Sequence, residues 1–152
     1  MRDDDSFAVI SKIRRGMEVM LLEALKQAGV SGIVPSHGQI LLALFDGQRL
    51  PMNELAEQIG KTPQTVTVLV KKLAEMGYLK SERVPADRRS SVVSLTEQGE
   101  RLKPVFQSVC RQLQETQYRG LSQEEIVQLR RMLTVVAENF SAYSREEDIQ
   151  NV

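Results

Sequence analysis

The chain has 152 residues, of which 41% are hydrophobic and 26% are charged, and its formal net charge is zero. This length suits one domain with a sizeable core, and the hydrophobic fraction is too high for a disordered chain. The sequence contains no run of about 18 uncharged apolar residues, and its charged start, Met1-Arg2-Asp3-Asp4-Asp5, is unlike a signal peptide. We therefore expect a cytoplasmic protein that makes no membrane contact.

Two reactive residue types occur once each, as Cys110 and His37. A single cysteine excludes an internal disulfide, and one cysteine with one histidine makes a zinc site improbable. A histidine-dependent hydrolase would have to rely on His37 alone. We therefore expect no metal, no cofactor and no enzymatic activity.

The charge is unevenly distributed along the chain. Residues 61–96 carry 7 basic and 3 acidic side chains, whereas residues 1–60 carry 6 and 8, and residues 97–152 carry 7 and 9. The middle segment is thus at +4 between two flanks at −2 each. Local contact with phosphates needs such a basic segment, although a solvated surface would show the same pattern.

The first three predicted elements are helices, identified by helical spacing of apolar residues and by flanking glycine or proline. The first runs over about Ser6–Ala28 and ends at a glycine-bearing turn. The second begins at Pro35 and closes near Asp46. The third is short and spans about Met52–Ile59.

A fourth helix and a hairpin follow. Thr62 and Pro63 predict the helix start, because a threonine oxygen can cap the first turn and proline needs no donor there. The helix reaches about Met76, with an apolar back and a polar front. Two strand-like runs, near residues 79–84 and 91–95, form a hairpin with a charged tip.

Two longer helices complete the chain. A fifth is predicted from Thr96 to about Arg119, bent at Pro104. Ser122 and Glu125 form a capping box that opens a sixth helix, which reaches about Tyr143. On this sixth helix, apolar residues step by 3 and 4 positions, which is typical of a narrow seam between two helices. These residues are Ile126, Leu129, Leu133, Val136 and Phe140.

Helix, turn, helix and hairpin in this order predict a mainly α fold with a small β-hairpin, a winged helix-turn-helix. The polar front of the fourth helix suits a DNA major groove. Gln64 can pair with an adenine edge, and a methyl of Thr67 or Val68 can contact a thymine methyl. Candidate contacts to this groove and its phosphates are Thr62, Gln64, Thr65, Thr67, Val68, Lys71 and Lys72.

The hairpin tip suits the adjacent minor groove. Arg88 or Arg89 can enter it, because the negative potential there favours a guanidinium group. Asp87 is expected to brace the turn by pairing with an arginine rather than to contact DNA.

Three segments together, LAEQIGKTPQTVTVLVKKLAEMGYL, DRRSSVVSLTEQGERL and GLSQEEIVQLRRML, resemble the MarR family of bacterial transcriptional regulators. The segment that begins at Asp87 is similar to the family's Asp-x-Arg turn followed by a strand and Leu-Thr-x-x-Gly. The resemblance implies that Thr62–Met76 is the recognition helix, that Arg89 is the minor-groove arginine and that Asp87 is its structural partner. Ser81 and Glu82 stand where many relatives carry arginine, so we expect weaker backbone contact there.

The resemblance also implies a homodimer that binds a pseudo-palindromic operator in double-stranded DNA, more often as a repressor. It divides the chain into an N-terminal dimerisation helix (1–34), a DNA-binding lobe (35–96) and C-terminal dimerisation helices (97–152). The expected interface combines the seam of the sixth helix with residues of the first, which are Ile10, Ile13 and Met17. A small lipophilic or phenolic ligand could release the operator.

Alternatives remain open at this stage. The chain could be a winged-helix protein-interaction module without specific DNA binding, or a peroxide-reducing enzyme that uses Cys110. Cys110 could instead sense oxidation, but a buried structural cysteine is the simpler interpretation. His37 could cap the second helix, contact a phosphate or sense pH or a ligand. Met17 and Met20 could line an adaptable pocket or fill the core.

Overall fold

The computed structural model describes residues 5–85 and 87–150, and of residues 87–90 and 142–150 it describes the backbone alone. The chain divides into two compact units, residues 1–113 and residues 114–152. The first unit carries the winged lobe, and the second carries the whole of the last helix and the end of the one before it.

Helices dominate the described residues, and a small antiparallel sheet interrupts them. In chain order the elements are α1 (Ser6–Gln27), α2 (Pro35–Leu44), β1 (Leu50–Pro51), α3 (Met52–Ile59), α4 (Pro63–Glu75), β2 (Leu79–Val84), β3 (Asp87–Leu95), α5 (Glu97–Glu100), α6 (Lys103–Gln117) and α7 (Gln123–Gln150). The predicted fold class, a mainly α protein with a winged helix-turn-helix, is confirmed.

The core of the first unit lies between α2, α3, α4 and the sheet, and α6 closes it. Phe106 of α6 is 1% exposed, and its ring centroid lies 5.4 Å from that of Phe45, in a tilted arrangement. Val66, Val70 and Leu73 bury the inner face of α4 against this core. The outer face of α4 is thereby held on a rigid base.

The sheet has the strand order β1-β3-β2, with both neighbouring pairs antiparallel. Leu50 pairs with Val93, and Leu79 pairs with Leu95. Leu50, Leu79 and Val93 are buried, because alternate strand residues share the face that packs on the core.

The first strand, β1, is absent from the sequence-based prediction, which contained a two-stranded hairpin. Two residues are too few for a periodic pattern, so Leu50 and Pro51 give no strand signal of their own. They become a strand by pairing with Val93 and Val92. Proline is tolerated at Pro51 because β1 is an edge strand.

The prediction of one long, bent fifth helix is wrong. The structure has two helices, α5 and α6, separated at Arg101 and Leu102. Pro104 lies in the first turn of α6, where its missing N–H needs no partner, and so it begins a helix instead of bending one. Leu102 is buried at this break.

Candidate nucleic-acid interface

The start of α4 is organised by its predicted cap. Thr62 has an extended backbone, with φ −67° and ψ 150°, and its Oγ1 accepts a hydrogen bond from the backbone N–H of Thr65 at 3.3 Å. Pro63 occupies the first turn. The helix start that Thr62 and Pro63 predict is confirmed.

The two faces of α4 differ sharply in exposure. The back of the helix is buried through Val66, Val70 and Leu73. Every residue predicted to contact the groove is exposed, which includes Thr62, Gln64, Thr65, Thr67, Val68, Lys71 and Lys72. The structure therefore brings these predicted residues onto one accessible surface, which we call the α4 face.

The threonine hydroxyls of the α4 face bond within the helix. Thr67 Oγ1 donates to the carbonyl oxygen of Pro63 at 2.8 Å. The hydroxyl oxygens of Thr62 and Thr65 lie 2.9 Å apart, within hydrogen-bond distance. The donor capacity that remains on this face therefore belongs mainly to Gln64 and the two lysines.

A set of hydrogen bonds connects the end of α4 to the base of the hairpin. Thr96 Oγ1 donates to the carbonyl oxygen of Gly77 and accepts from the backbone N–H of Gly99 at 3.1 Å. The N–H of Thr96 donates to the carbonyl oxygen of Tyr78 at 3.0 Å. A Cβ at Gly99 would collide with that same carbonyl oxygen. These contacts explain why threonine and glycine stand three residues apart in Leu-Thr-x-x-Gly.

The wing consists of β2 and β3, with an irregularity in register between Arg83 and Val84. The backbone of residues 87–90 continues β3 to the tip, so this strand starts four residues earlier than predicted. The side chains of Asp87, Arg88 and Arg89 lie outside the described part of the chain. Their expected roles therefore remain predictions.

A charged cluster that the sequence did not reveal lies on β2. Glu82 Oε2 is 2.8 Å from a guanidinium nitrogen of Arg49, and Glu82 Oε1 is 3.9 Å from Lys80 Nζ. Arg49 precedes β1, on the far side of β3 from Glu82, so no local sequence pattern could signal this pair. Glu82 therefore partly neutralises two cations at the base of the wing.

His37 lies at the start of α2 and is only 6% exposed. Its Nδ1 accepts a hydrogen bond from the backbone N–H of Val34 at 3.1 Å, so the predicted capping role is confirmed. Burial lowers the pKa of His37, and the positive charge of Lys72 on α4 lowers that pKa further. The imidazole is therefore neutral near pH 7.

Helix α1 exposes apolar side chains. Ile10, Ile13 and Met17, the residues predicted for a dimer interface, are 44%, 51% and 39% exposed in the single chain. Phe7, one turn before Ile10, is also exposed. An apolar stripe of this kind marks a surface suited to a protein contact.

Helix α7 also exposes apolar residues along its predicted seam. Leu133, Val136 and Phe140 are exposed, and Ile126 and Leu129 are half-buried. Its start is the predicted capping box, in which Ser122 Oγ accepts from the N–H of Glu125 and Glu125 accepts from the N–H of Ser122.

A cleft of about 460 Å³ lies between α1, α2 and α6. Met17, Leu42, Phe106 and Cys110 are among the residues that line it. Cys110 is half-buried, so the expectation of a buried structural cysteine is only partly met. Met20 does not line this cleft but a separate groove on α1.

Two classes of site lack support in the described residues. Residues 5–85 and 87–150 contain no group of three or more His, Cys, Asp or Glu side chains that could hold a metal ion. Among the same residues, no helix combines the length and the apolar character that crossing a bilayer requires.

The fold and the α4 face together define a winged-helix protein. Residues 28–90 match the sequence model of the MarR family. The HTH-type transcriptional regulator SarZ of Staphylococcus epidermidis is 33% identical over 70 residues, which cover 46% of this chain and 47% of SarZ. SarZ of Staphylococcus aureus is 34% identical over 64 residues, which cover 42% and 43%. The chain thus spans about half the length of the curated relatives it matches.

Solved structures extend the similarity in fold to most of the chain. A MarR transcriptional regulator from Methanosarcina mazei superposes with a TM-score of 0.77 at 21% identity, covering 92% of this chain and 99% of that one. A mutant MarR from Escherichia coli, complexed with operator DNA, gives 0.75 at 20% identity and covers 85% and 91%. BpsR of Bordetella bronchiseptica, described as regulated in its DNA binding by 6-hydroxynicotinic acid, gives 0.76 at 19% and covers 88% and 99%. The similarity to the MarR family in sequence thus covers residues 28–90, and the similarity in fold extends over most of the chain.

Proposed function

We propose that the protein is a cytoplasmic, homodimeric transcriptional regulator that binds a pseudo-palindromic operator in double-stranded DNA. The observation that carries this proposal is the α4 face, an exposed polar surface on a helix whose opposite side is buried in the core. A helix seated in this way can enter a major groove without losing its packing.

In this proposal the α4 face divides its contacts by chemistry. Gln64, Thr67 and Val68 read base edges in the major groove. Lys71 and Lys72, further along the helix, contact phosphates, where a flexible ammonium group acts as a point charge. Thr62 and Thr65 lie at the helix start and contribute methyl surface near the DNA backbone.

The wing contributes the second set of contacts. Arg88 or Arg89 enters the minor groove beside the half-site, and Asp87 orients the arginine. Glu82 opposes phosphate contact at the base of the wing, because it pairs with Arg49 and Lys80. We therefore expect the wing tip to contribute more to affinity than the wing base.

Dimerisation uses the apolar stripes of α1 and α7. Their exposure in the single chain supports this part of the proposal, since burial of Ile10, Ile13, Met17, Leu133 and Val136 in a second copy would remove apolar surface from water. Two α4 helices related by two-fold symmetry would then enter successive major grooves roughly 34–36 Å apart.

Control by a small ligand is the last part of the proposal. The cleft between α1, α2 and α6 has an apolar lining and a volume that suits a small lipophilic or phenolic compound. BpsR, a protein of the same fold, is described as regulated by 6-hydroxynicotinic acid. We propose that a ligand in this cleft weakens operator binding and that the protein acts as a repressor.

A binding titration tests the proposal. Full-length protein is titrated into labelled DNA from upstream of its own gene and into unrelated DNA of equal length, at several salt concentrations. Specific binding should weaken steeply as salt rises. Arg89→Ala removes one contact to DNA, so it should lose about tenfold or more in affinity and should also reduce the slope of affinity against salt concentration.

The competing function is a protein-interaction module without specific DNA binding. The Arg49–Glu82–Lys80 cluster favours this alternative, because Glu82 partly neutralises the positive charge beside the wing. Equal affinity for every duplex sequence would support this alternative and refute the regulator.

A further inference from the structure

Val68 is an unusual residue for the middle of a polar helix face. It is 69% exposed, whereas Val66 and Val70, its neighbours on the same helix, are 0% and 3% exposed. It lies one turn after Gln64 and one turn before Lys71, on the ridge furthest from the core. An isopropyl group there cannot bond to phosphates, so the group in a major groove that it suits is the C5-methyl of thymine.

Thr67 supports the same interpretation. Its hydroxyl donates to the carbonyl oxygen of Pro63 at 2.8 Å, which commits the donor that a phosphate or a base acceptor would need. The methyl group is then the part of this exposed side chain that can contact DNA while the hydrogen bond to Pro63 is kept. Thr67 and Val68 therefore offer adjacent apolar contacts.

Gln64 supplies the complementary polar contact. Its side chain is exposed and makes no hydrogen bond to any other residue that the structure describes. Its side-chain amide can bond in bidentate fashion to N6 and N7 of adenine. Gln64 and Val68 are four residues apart, a distance of about 6 Å along the helix axis. Two base-pair steps of about 3.4 Å each are slightly longer than this. Gln64 and Val68 can therefore reach the same base pair or neighbouring ones.

We propose that the protein selects operators whose half-sites present a thymine methyl to Val68 and Thr67 and an adenine edge to Gln64. This inference rests on the proposed DNA-binding function and specifies its substrate. The discrimination is made by the thymine methyl group, so the protein distinguishes thymine from uracil, which forms the same base pair without the methyl.

The experiment begins with a binding site selected from a random-sequence duplex library by the full-length protein. Each thymine of the selected site is then replaced in turn by uracil, and the affinity is measured. At one thymine or more in each half-site, uracil should reduce affinity by about fourfold, the effect of one buried methyl-sized group. Uracil at the remaining thymines should have no effect.

Variants assign the effect to residues. Val68→Ala should bind the thymine and uracil duplexes almost equally, and it should fold normally because Val68 is exposed. Thr67→Ser keeps the hydroxyl bonded to Pro63 and removes only the methyl, so it should reduce the discrimination. Val19→Ala makes the same change as Val68→Ala at a position of α1 that is 63% exposed and lies outside the α4 face, so it is the matched control and should retain the full discrimination.

The outcomes separate this inference from the function on which it rests. If no preferred site emerges from the library, the proposed function fails. If a preferred site emerges but uracil is tolerated at every position, or if Val68→Ala retains the discrimination, the function stands and the inference is overturned.

Discussion

At the scale of single residues, the junction between α4 and the wing depends on two small side chains. Thr96 uses both its hydroxyl and its backbone N–H to hold Gly77, Tyr78 and Gly99 together. Gly99 is needed because no Cβ fits beside the carbonyl oxygen of Tyr78. The motif Leu-Thr-x-x-Gly is therefore a packing requirement that joins α4 to the wing.

The variant Gly99→Ala tests this requirement. We expect it to lower the free energy of unfolding by about 2 kcal/mol or more, since the collision is with backbone, which yields only by shifting the α4–wing junction. Urea denaturation followed by circular dichroism measures the change.

Gly16→Ala is the matched control. No atom lies within 4 Å of a Cβ built at Gly16, which is inside α1. Alanine there should raise the free energy of unfolding by about 0.5–1 kcal/mol. Equal stability of Gly99→Ala and the parent protein would contradict the proposed packing requirement.

At the scale of elements, the start of α2 shows how a buried side chain can replace a common cap. Val34 has no polar side chain, and the N–H of Val34 is satisfied instead by Nδ1 of His37. Protonation would convert this acceptor into a donor and break the cap. The stability of α2 therefore depends on the charge state of His37.

We expect stability to fall in acid for this reason. The pKa of His37 is lowered from its usual value of 6.5 by burial and by Lys72. Below pH 6.5 the unfolded chain binds a proton that the folded chain resists, so the contribution of His37, complete above that pH, is lost as pH falls towards the lowered pKa. The free energy of unfolding, measured in urea between pH 8 and pH 5, should decrease over this window.

His37→Gln provides the comparison, because glutamine has an acceptor oxygen and does not titrate. The variant should show a shallower decrease between pH 6.5 and pH 5. A pH profile parallel to that of the parent protein would assign the acid sensitivity to other groups.

At the scale of the whole molecule, α1 and α7 expose apolar stripes that a single chain does not cover. Leu133 is 43% exposed near the middle of the α7 seam. Placing a charge there should oppose association without disturbing the core of either unit. The oligomeric state is thus open to a direct test.

Leu133→Glu should convert the proposed dimer to a monomer, as measured by sedimentation velocity. It should also weaken binding to the proposed operator by about a hundredfold or more, because two linked half-sites bind far more tightly than one. Gln128→Glu adds the same charge to an exposed position of α7 off the seam and should leave a dimer. A parent protein that sediments as a monomer would end the dimer proposal, whatever the variants do.

The sequence by itself determined the local features of this protein. The cap at Thr62, the capping box at Ser122, the buried back of α4 and its exposed front follow from residue type and from helical spacing, which act over a few neighbouring residues. The mainly α fold with a winged lobe followed from the order of those elements.

Only the tertiary structure decided the features that depend on residues distant in the chain. Strand β1 forms because Leu50 pairs with Val93 of β3. Glu82 forms an ion pair because Arg49, on the other side of β3, extends to its carboxylate. The break before α6 lets Leu102 enter the core, and burial sets the charge state of His37. Pairing and burial depend on which surfaces meet in space, and local spacing in the sequence carries no record of that.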